Sequence, residues 1–242
     1  MTSTTTIEVK INKFLTVFLI LLVVSYYVKG QTLLGIKGGL NFSTLIEKNT
    51  LQNTSKEGFK SYPSYCFEFS LKGRKPTPIH AGVSLTYSMN SFNYHYDSEG
   101  HFPTGENINY QLQCIRLTVF PEFSTGKRFQ FFCNLSPYLN LMINSSKNGS
   151  KWSYEYIGNY YQLVNETIAG SANDDFNQLD IGFQESCGLG FQLNPWLGLT
   201  IEENGSLGCL NINKKETNWN LKNASLKLLL GVTFTFPNKK NN

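Results

Sequence analysis

The sequence predicts an all-β protein, a single eight-stranded antiparallel up-and-down transmembrane β-barrel behind an export signal. Three observations carry that prediction. Apolar side chains recur at every second position through most of the chain, and short and long connections between these runs alternate. The composition is 14% aromatic and only 16% charged, rich in Gly, Ser, Thr and Asn, which serves strands and turns far better than helices.

Residues 1–30 read as an address rather than as structure. Lys10 and Lys13 precede an apolar run from Phe14 to Val24, and Val28-Lys29-Gly30 supplies modest side chains where a signal peptidase cuts. Such a run falls short of the roughly 20 residues a spanning helix needs, so cleavage after Gly30 is expected and 31–242 is the barrel domain. Without the leader the formal charge of +4 loses three lysines and gains back one glutamate. The weak positive balance that remains is no nucleic-acid footprint. Five cysteines (66, 114, 133, 187 and 209) show no C-x-x-C pair, which argues against zinc; they read as small strand residues, with a disulfide left open.

Alternation defines each strand in turn. Leu34, Ile36, Gly38, Leu40 and Phe42 oppose Gly35, Lys37, Gly39 and Asn41; Tyr65, Phe67, Phe69 and Leu71 oppose Cys66, Glu68, Ser70 and Lys72. The third run sets Ile79 to Met89 against His80, Gly82, Ser84, Thr86 and Ser88. A fourth, 108–123, loses register near Gln113 and Cys114, where Ile115, Leu117 and Val119 switch parity, as a bulge would cause. A fifth, 129–143, is weakened locally by Pro137. The sixth covers 179–193, the seventh, less regular, 196–210. In the eighth, Leu226, Leu228, Leu230, Val232, Phe234 and Phe236 alternate with Ser225, Lys227, Gly231, Thr233 and Thr235.

Connections at 73–78, 124–128 and 194–195 are short, whereas 43–63, 90–107, 144–176 and 211–224 are long. That is the pattern of periplasmic turns and extracellular loops in a membrane barrel, with both termini on the periplasmic side. The polar face is built mainly of small neutral residues, which suit a narrow interior that side chains fill. Its ionic members, Lys37, Glu68, Arg116, Asp180 and Lys227, form an expected internal charge network plugging the barrel; the alternative places several at a wet rim. Continued parity turns Glu185 and Glu203 toward lipid, which implies a register shift there or a position near the interface.

Gly35-Ile36-Lys37-Gly38-Gly39-Leu40-Asn41-Phe42-Ser43 behind the leader, Ser136-Pro137-Tyr138-Leu139, and Leu229-Leu230-Gly231-Val232-Thr233-Phe234 resemble the PorT-like outer-membrane β-barrel proteins of Bacteroidetes. The resemblance runs over nearly the whole of 31–242 and rests on the order and spacing of short motifs. It implies an eight-stranded barrel in a Gram-negative outer membrane and, for the name-giving member, a part in secretion and gliding.

For chemistry, His95, Asp97, Glu99 and His101 are weak candidate metal ligands, since imidazoles and carboxylates would share one face if the loop continued as a strand; a polar external loop explains them as well. His80 reads as an interior or turn-side residue. No nucleophile elbow, phosphate loop or zinc-protease motif is present, so neither an enzyme nor a cofactor is expected. Trp152, Tyr154, Tyr156, Tyr160 and Tyr161 in the long 144–176 connection are candidate contact anchors. The function classes are therefore a structural or adhesion-type barrel meeting an extracellular partner, a component of secretion machinery, or a soluble barrel holding an apolar ligand. The expected partners are outer-membrane lipid and a protein, with no nucleic acid.

Overall fold

The computed structural model describes residues 31–48, 56–74, 78–98, 104–158, 160–214 and 220–236. The leader and the tail beyond Phe236 lie outside them. Nine strands follow one another: β1 (Gln31–Lys48), β2 (Lys56–Arg74), β3 (Ile79–Asp97), β4 (Gly105–Thr125), β5 (Phe129–Ile157), β6 (Tyr160–Ser171), β7 (Leu179–Asn194), β8 (Leu197–Gly208) and β9 (Asn220–Phe236).

Eight of them close a ring, each strand antiparallel to both neighbours, in the order β1-β2-β3-β4-β5-β7-β8-β9 and back to β1. Carried round by the paired residues, the ladder leaving β1 at Thr32 passes Gly73, Ala81 and Pro121. Across a proline gap it continues through Leu135, Glu185, Gly205 and Leu226, and returns to β1 at Phe42, ten residues on. That stagger tilts the strands by roughly 35–45° and removes every edge within the ring. The gap has a local cause. In register, β4 and β5 pair at Thr118–Tyr138 and again at Glu122–Asn134, and between them sit Pro121 and Pro137, neither able to donate to a ladder.

Outward side chains through the lower two-thirds of the wall are apolar and exposed, among them Ile36, Leu40, Phe67, Phe69, Leu135, Phe183, Leu189, Ile201 and Leu230. Their polar counterparts are buried inside. Close-packed aromatics fit this narrow interior where a neighbouring strand offers glycine. Phe120 lies over Gly82, Phe132 over Gly188 and Tyr138 over Gly182, in each case where a Cβ would stand within 3 Å of the ring.

Two expectations are corrected. The ninth strand arises from the 144–176 connection, expected to be a loop: β5 runs on past 143, turns at Gly158 in a left-handed conformation (φ 68°) and returns as β6, which pairs with β5 alone. The register does shift at Gln113 and Cys114, but in the ladder to β5 and not within β4, whose pairing with β3 is continuous from Ile79–Phe123 to Asp97–Gly105. The extra residue is Ile143 of β5, skipped between Gln113–Asn144 and Cys114–Met142. Above this level β4 keeps its inward parity, and it is the apolar residues that change side. Ile108 and Leu112 are buried inside, while Asn107, Asn109 and Gln111 face out.

Candidate functional site

Inside the membrane-level barrel the ionic side chains form layers. Lys37 Nζ donates to Glu68 at 2.8 Å and to Glu202 at 2.5 Å. Glu68 also accepts from Thr86 at 3.2 Å, and Glu202 accepts from Ser186 Oγ at 2.6 Å. Toward the end that carries the short turns Lys72 reaches Glu122 at 2.8 Å. These pairs are almost wholly buried, and a buried pair is tolerated only when its remaining hydrogen-bonding capacity is met, as the Thr86 and Ser186 hydroxyls do here. Higher up, Arg116 donates to Gln184 at 3.1 Å and stacks over Tyr138 at 4.1 Å, and the Tyr138 hydroxyl donates to Asp180 at 3.0 Å.

The five residues of the expected charge network thus all lie inside, but not as one cluster. Lys37 and Glu68 bond directly, Arg116 and Asp180 meet through Tyr138, and Lys227, with 0% of its surface exposed, makes no hydrogen bond to the protein among the described residues. Sequence reading missed Glu202, Lys72 and Glu122. The signal for Glu202 was present: a strand that turns Glu203 outward turns Glu202 inward. His80 is buried at the short-turn end, opposite Glu122.

A roof covers this interior. Ala172, Phe176 and Ile212, from the connections after β6 and β8, pack with Leu45, Phe92, Leu112, Cys114, Met142 and Leu221 into one apolar cluster. Phe176 meets the Tyr110 ring edge-on at 5.3 Å, and Lys147 holds Asp175 at 2.6 Å. Beside the roof stands the β5–β6 arm. Trp152, Tyr154, Tyr156, Tyr161 and Leu163 share its outer face by register, with the Tyr156 and Tyr161 rings 5.2 Å apart. Tyr160, paired with Ile157, points to the opposite face. Trp152 is partly covered because it lies over Gly105, whereas Tyr156 is 63% and Tyr161 55% exposed.

Of the candidate metal ligands, His95 and Asp97 end β3 with 3.9 Å between imidazole and carboxylate. Glu99 and His101 lie outside the described residues. All five thiols are free. Glu185 and Glu203 are exposed on the outer wall with unbroken β7–β8 register from Gly182 to Gln192, so neither a register shift nor an interfacial position accounts for them. Exposed Phe183 and Leu207 stand above and exposed Leu189 and Ile201 below, which puts both carboxylates within the apolar belt.

Residues 29–209 match a family model described as an outer membrane protein beta-barrel domain. The chain belongs to that family. Its barrel accordingly resides in a Gram-negative outer membrane, and the apolar belt is its lipid-facing surface. Three solved outer-membrane proteins are similar to it. Neisserial surface protein A is 13% identical (86% of this chain and 100% of that one covered, TM-score 0.45), and the attachment invasion locus protein Ail of Yersinia pestis is 12% identical (86% and 100%, 0.43). OprG of Pseudomonas aeruginosa is 14% identical (86% and 97%, 0.42). No curated protein matches the barrel.

Proposed function

We propose that the protein is a non-enzymatic outer-membrane barrel that displays the β5–β6 arm to a partner outside the cell. The observation that carries this reading is the arm's outer face, where Trp152, Tyr154, Tyr156, Tyr161 and Leu163 line up beyond the lipid-facing wall. Rigid aromatics contribute large contact area at small entropic cost, and a two-stranded arm paired to β4 over Gly105–Gln113 holds them in fixed order. The barrel beneath supports the same reading, because an interior closed by ion pairs and roofed by Phe176 serves as a pedestal. Within the family, the motifs at 35–43, 136–139 and 229–234 favour a place among the PorT-like proteins of Bacteroidetes, with export directed by residues 1–30.

The test compares cells displaying the full chain with cells displaying a variant in which Trp152, Tyr154, Tyr156 and Tyr161 are all serine. Surface density is matched by protease-accessible protein, and attachment to extracellular-matrix proteins and to neighbouring cells is counted. The expected result is attachment by the full chain and at least a tenfold loss in the variant, with the heat-modifiable barrel band unchanged. Equal attachment would remove the arm from the function.

A further inference from the structure

The lipid-facing wall around Glu185 and Glu203 has a composition that lipid alone does not explain. Glu185 pairs with Gly205 and Glu203 with Cys187 on the adjacent strand, so the two carboxylates are diagonal neighbours on one patch. Gly205 leaves the wall thin there, and the Glu185 carboxylate lies against it, 3.0 Å from where a Cβ would be. Beside it runs a groove of about 600 Å³ whose lining includes Leu135, Phe183, Glu185, Gly205, Leu207 and Leu226. No hydrogen bond or ion pair to a described residue engages either carboxylate.

The source of a complement follows by charge. Hydrocarbon supplies none, and ionised groups facing it are costly in proportion to depth. The chain's own basic residues at this level, Lys37, Lys72, Arg116 and Lys227, are buried inside the barrel. Of the other described basic residues, Lys60, Lys147, Lys151 and Lys222 sit on the extracellular extensions of β2, β5 and β9, Lys214 in the connection after β8, and Lys127 and Arg128 in the turn between β4 and β5, all at the ends of the wall. A second copy of the chain would therefore set carboxylate against carboxylate or against apolar wall. We propose that this wall is the docking face for a different integral outer-membrane protein that presents a lysine or arginine side chain at mid-bilayer depth, seated in the groove against Glu185 and Glu203. Pairing inside hydrocarbon is strong because neither solvent nor salt screens it. The inference does not rest on the β5–β6 arm, which projects beyond the membrane.

The probe is a leucine-rich transmembrane peptide carrying one central lysine, compared with the same peptide carrying glutamine there. Each bears a dansyl group at the end that reaches the periplasmic leaflet. The full-length barrel is reconstituted in phosphatidylcholine vesicles, and energy transfer from tryptophan, Trp196 lying in the turn below this wall, is titrated against the peptide-to-lipid ratio. The lysine peptide is expected to reach half-saturation at a ratio at least tenfold below the glutamine peptide, and E185Q/E203Q to erase that difference. Both substitutions are isosteric and remove charge from lipid, so a retained heat-modifiable band verifies folding. Equal titration of the two peptides by the unmodified barrel would overturn the proposal. So would a chain-only dimer that strengthens in E185Q/E203Q, which would assign the wall to a second copy.

Discussion

The lower and upper parts of β4 and β5 belong to the same pair of strands, joined across the one-residue shift at Ile143, yet are inverted in polarity. Below the level of Cys114, Val119, Phe123, Leu135 and Leu139 face out, while Arg116, Thr118, Ser136 and Asn140 are buried inside. Above it, Ile108, Leu112 and the roof residue Phe176 are inside, and Asn107, Asn109, Asn144 and Asn148 are outside. The strand does not change; its solvent does. Where hydrocarbon surrounds the wall, the hydrophobic effect offers nothing for turning apolar groups inward, and the interior is free to hold ion pairs. Where water surrounds it, the ordinary rule returns and an apolar core forms under Phe176. Ile143, the extra residue of β5, sits near that boundary.

The comparison is broken most severely at its ionic half. Lys37→Ala leaves Glu68 and Glu202 buried without their cation and is expected to cost about 3–5 kcal/mol, since removing one partner of a buried pair strands the other charge. Urea unfolding in detergent, followed by loss of the heat-modifiable band, measures it, and a cost under about 1 kcal/mol would contradict the network. Phe176→Ala strikes the apolar half. The expected loss is about 2–4 kcal/mol by cavity formation, confined to the roof, so hydrogen exchange should quicken at Ala172, Phe176 and Ile212 while the membrane-level strands keep their protection.

Smaller changes sharpen the boundary. Gly82→Val meets the Phe120 ring and should cost about 1–3 kcal/mol by overpacking, partly restored by Phe120→Leu; an unchanged unfolding midpoint would mean the interior is looser than described. Lys147→Ala removes the Asp175 contact at the partly wet rim. About 1 kcal/mol or less is expected, diminishing with salt, and salt-independent melting would show that the pair contributes nothing.

How much of this was legible in the sequence follows from the same inversion. The ring was readable because lipid outside and polar groups inside print a period of two, as in Leu226 to Phe236. The β5–β6 arm was not readable as strands, because both of its faces meet water and residues such as Ser150, Lys151 and Ser153 carry no contrast. The roof was hidden for a different reason: Ala172, Phe176 and Ile212 come from separate connections and meet only after the ring closes. Parity placed Lys37 on the inner face and Glu202 went unread, and since their contact spans 165 positions no local pattern encodes it. Glu185 and Glu203 were visible as exceptions, and the structure makes them sharper ones by holding the register through them.

The chain carries its own reporters for the central claim that the apolar wall faces lipid. Cys133 and Cys187 pair across β5 and β7 on the outer belt, Cys66 and Cys114 are buried inside, and Cys209 is exposed just past β8 on the extracellular side. The direct measurement treats the folded full-length protein in vesicles with a charged, membrane-impermeant maleimide and maps the modified thiols by mass spectrometry. The account predicts rapid modification of Cys209 and protection of the other four until the barrel is unfolded. Modification of Cys133 and Cys187 as fast as Cys209 would put the apolar wall in water and contradict it.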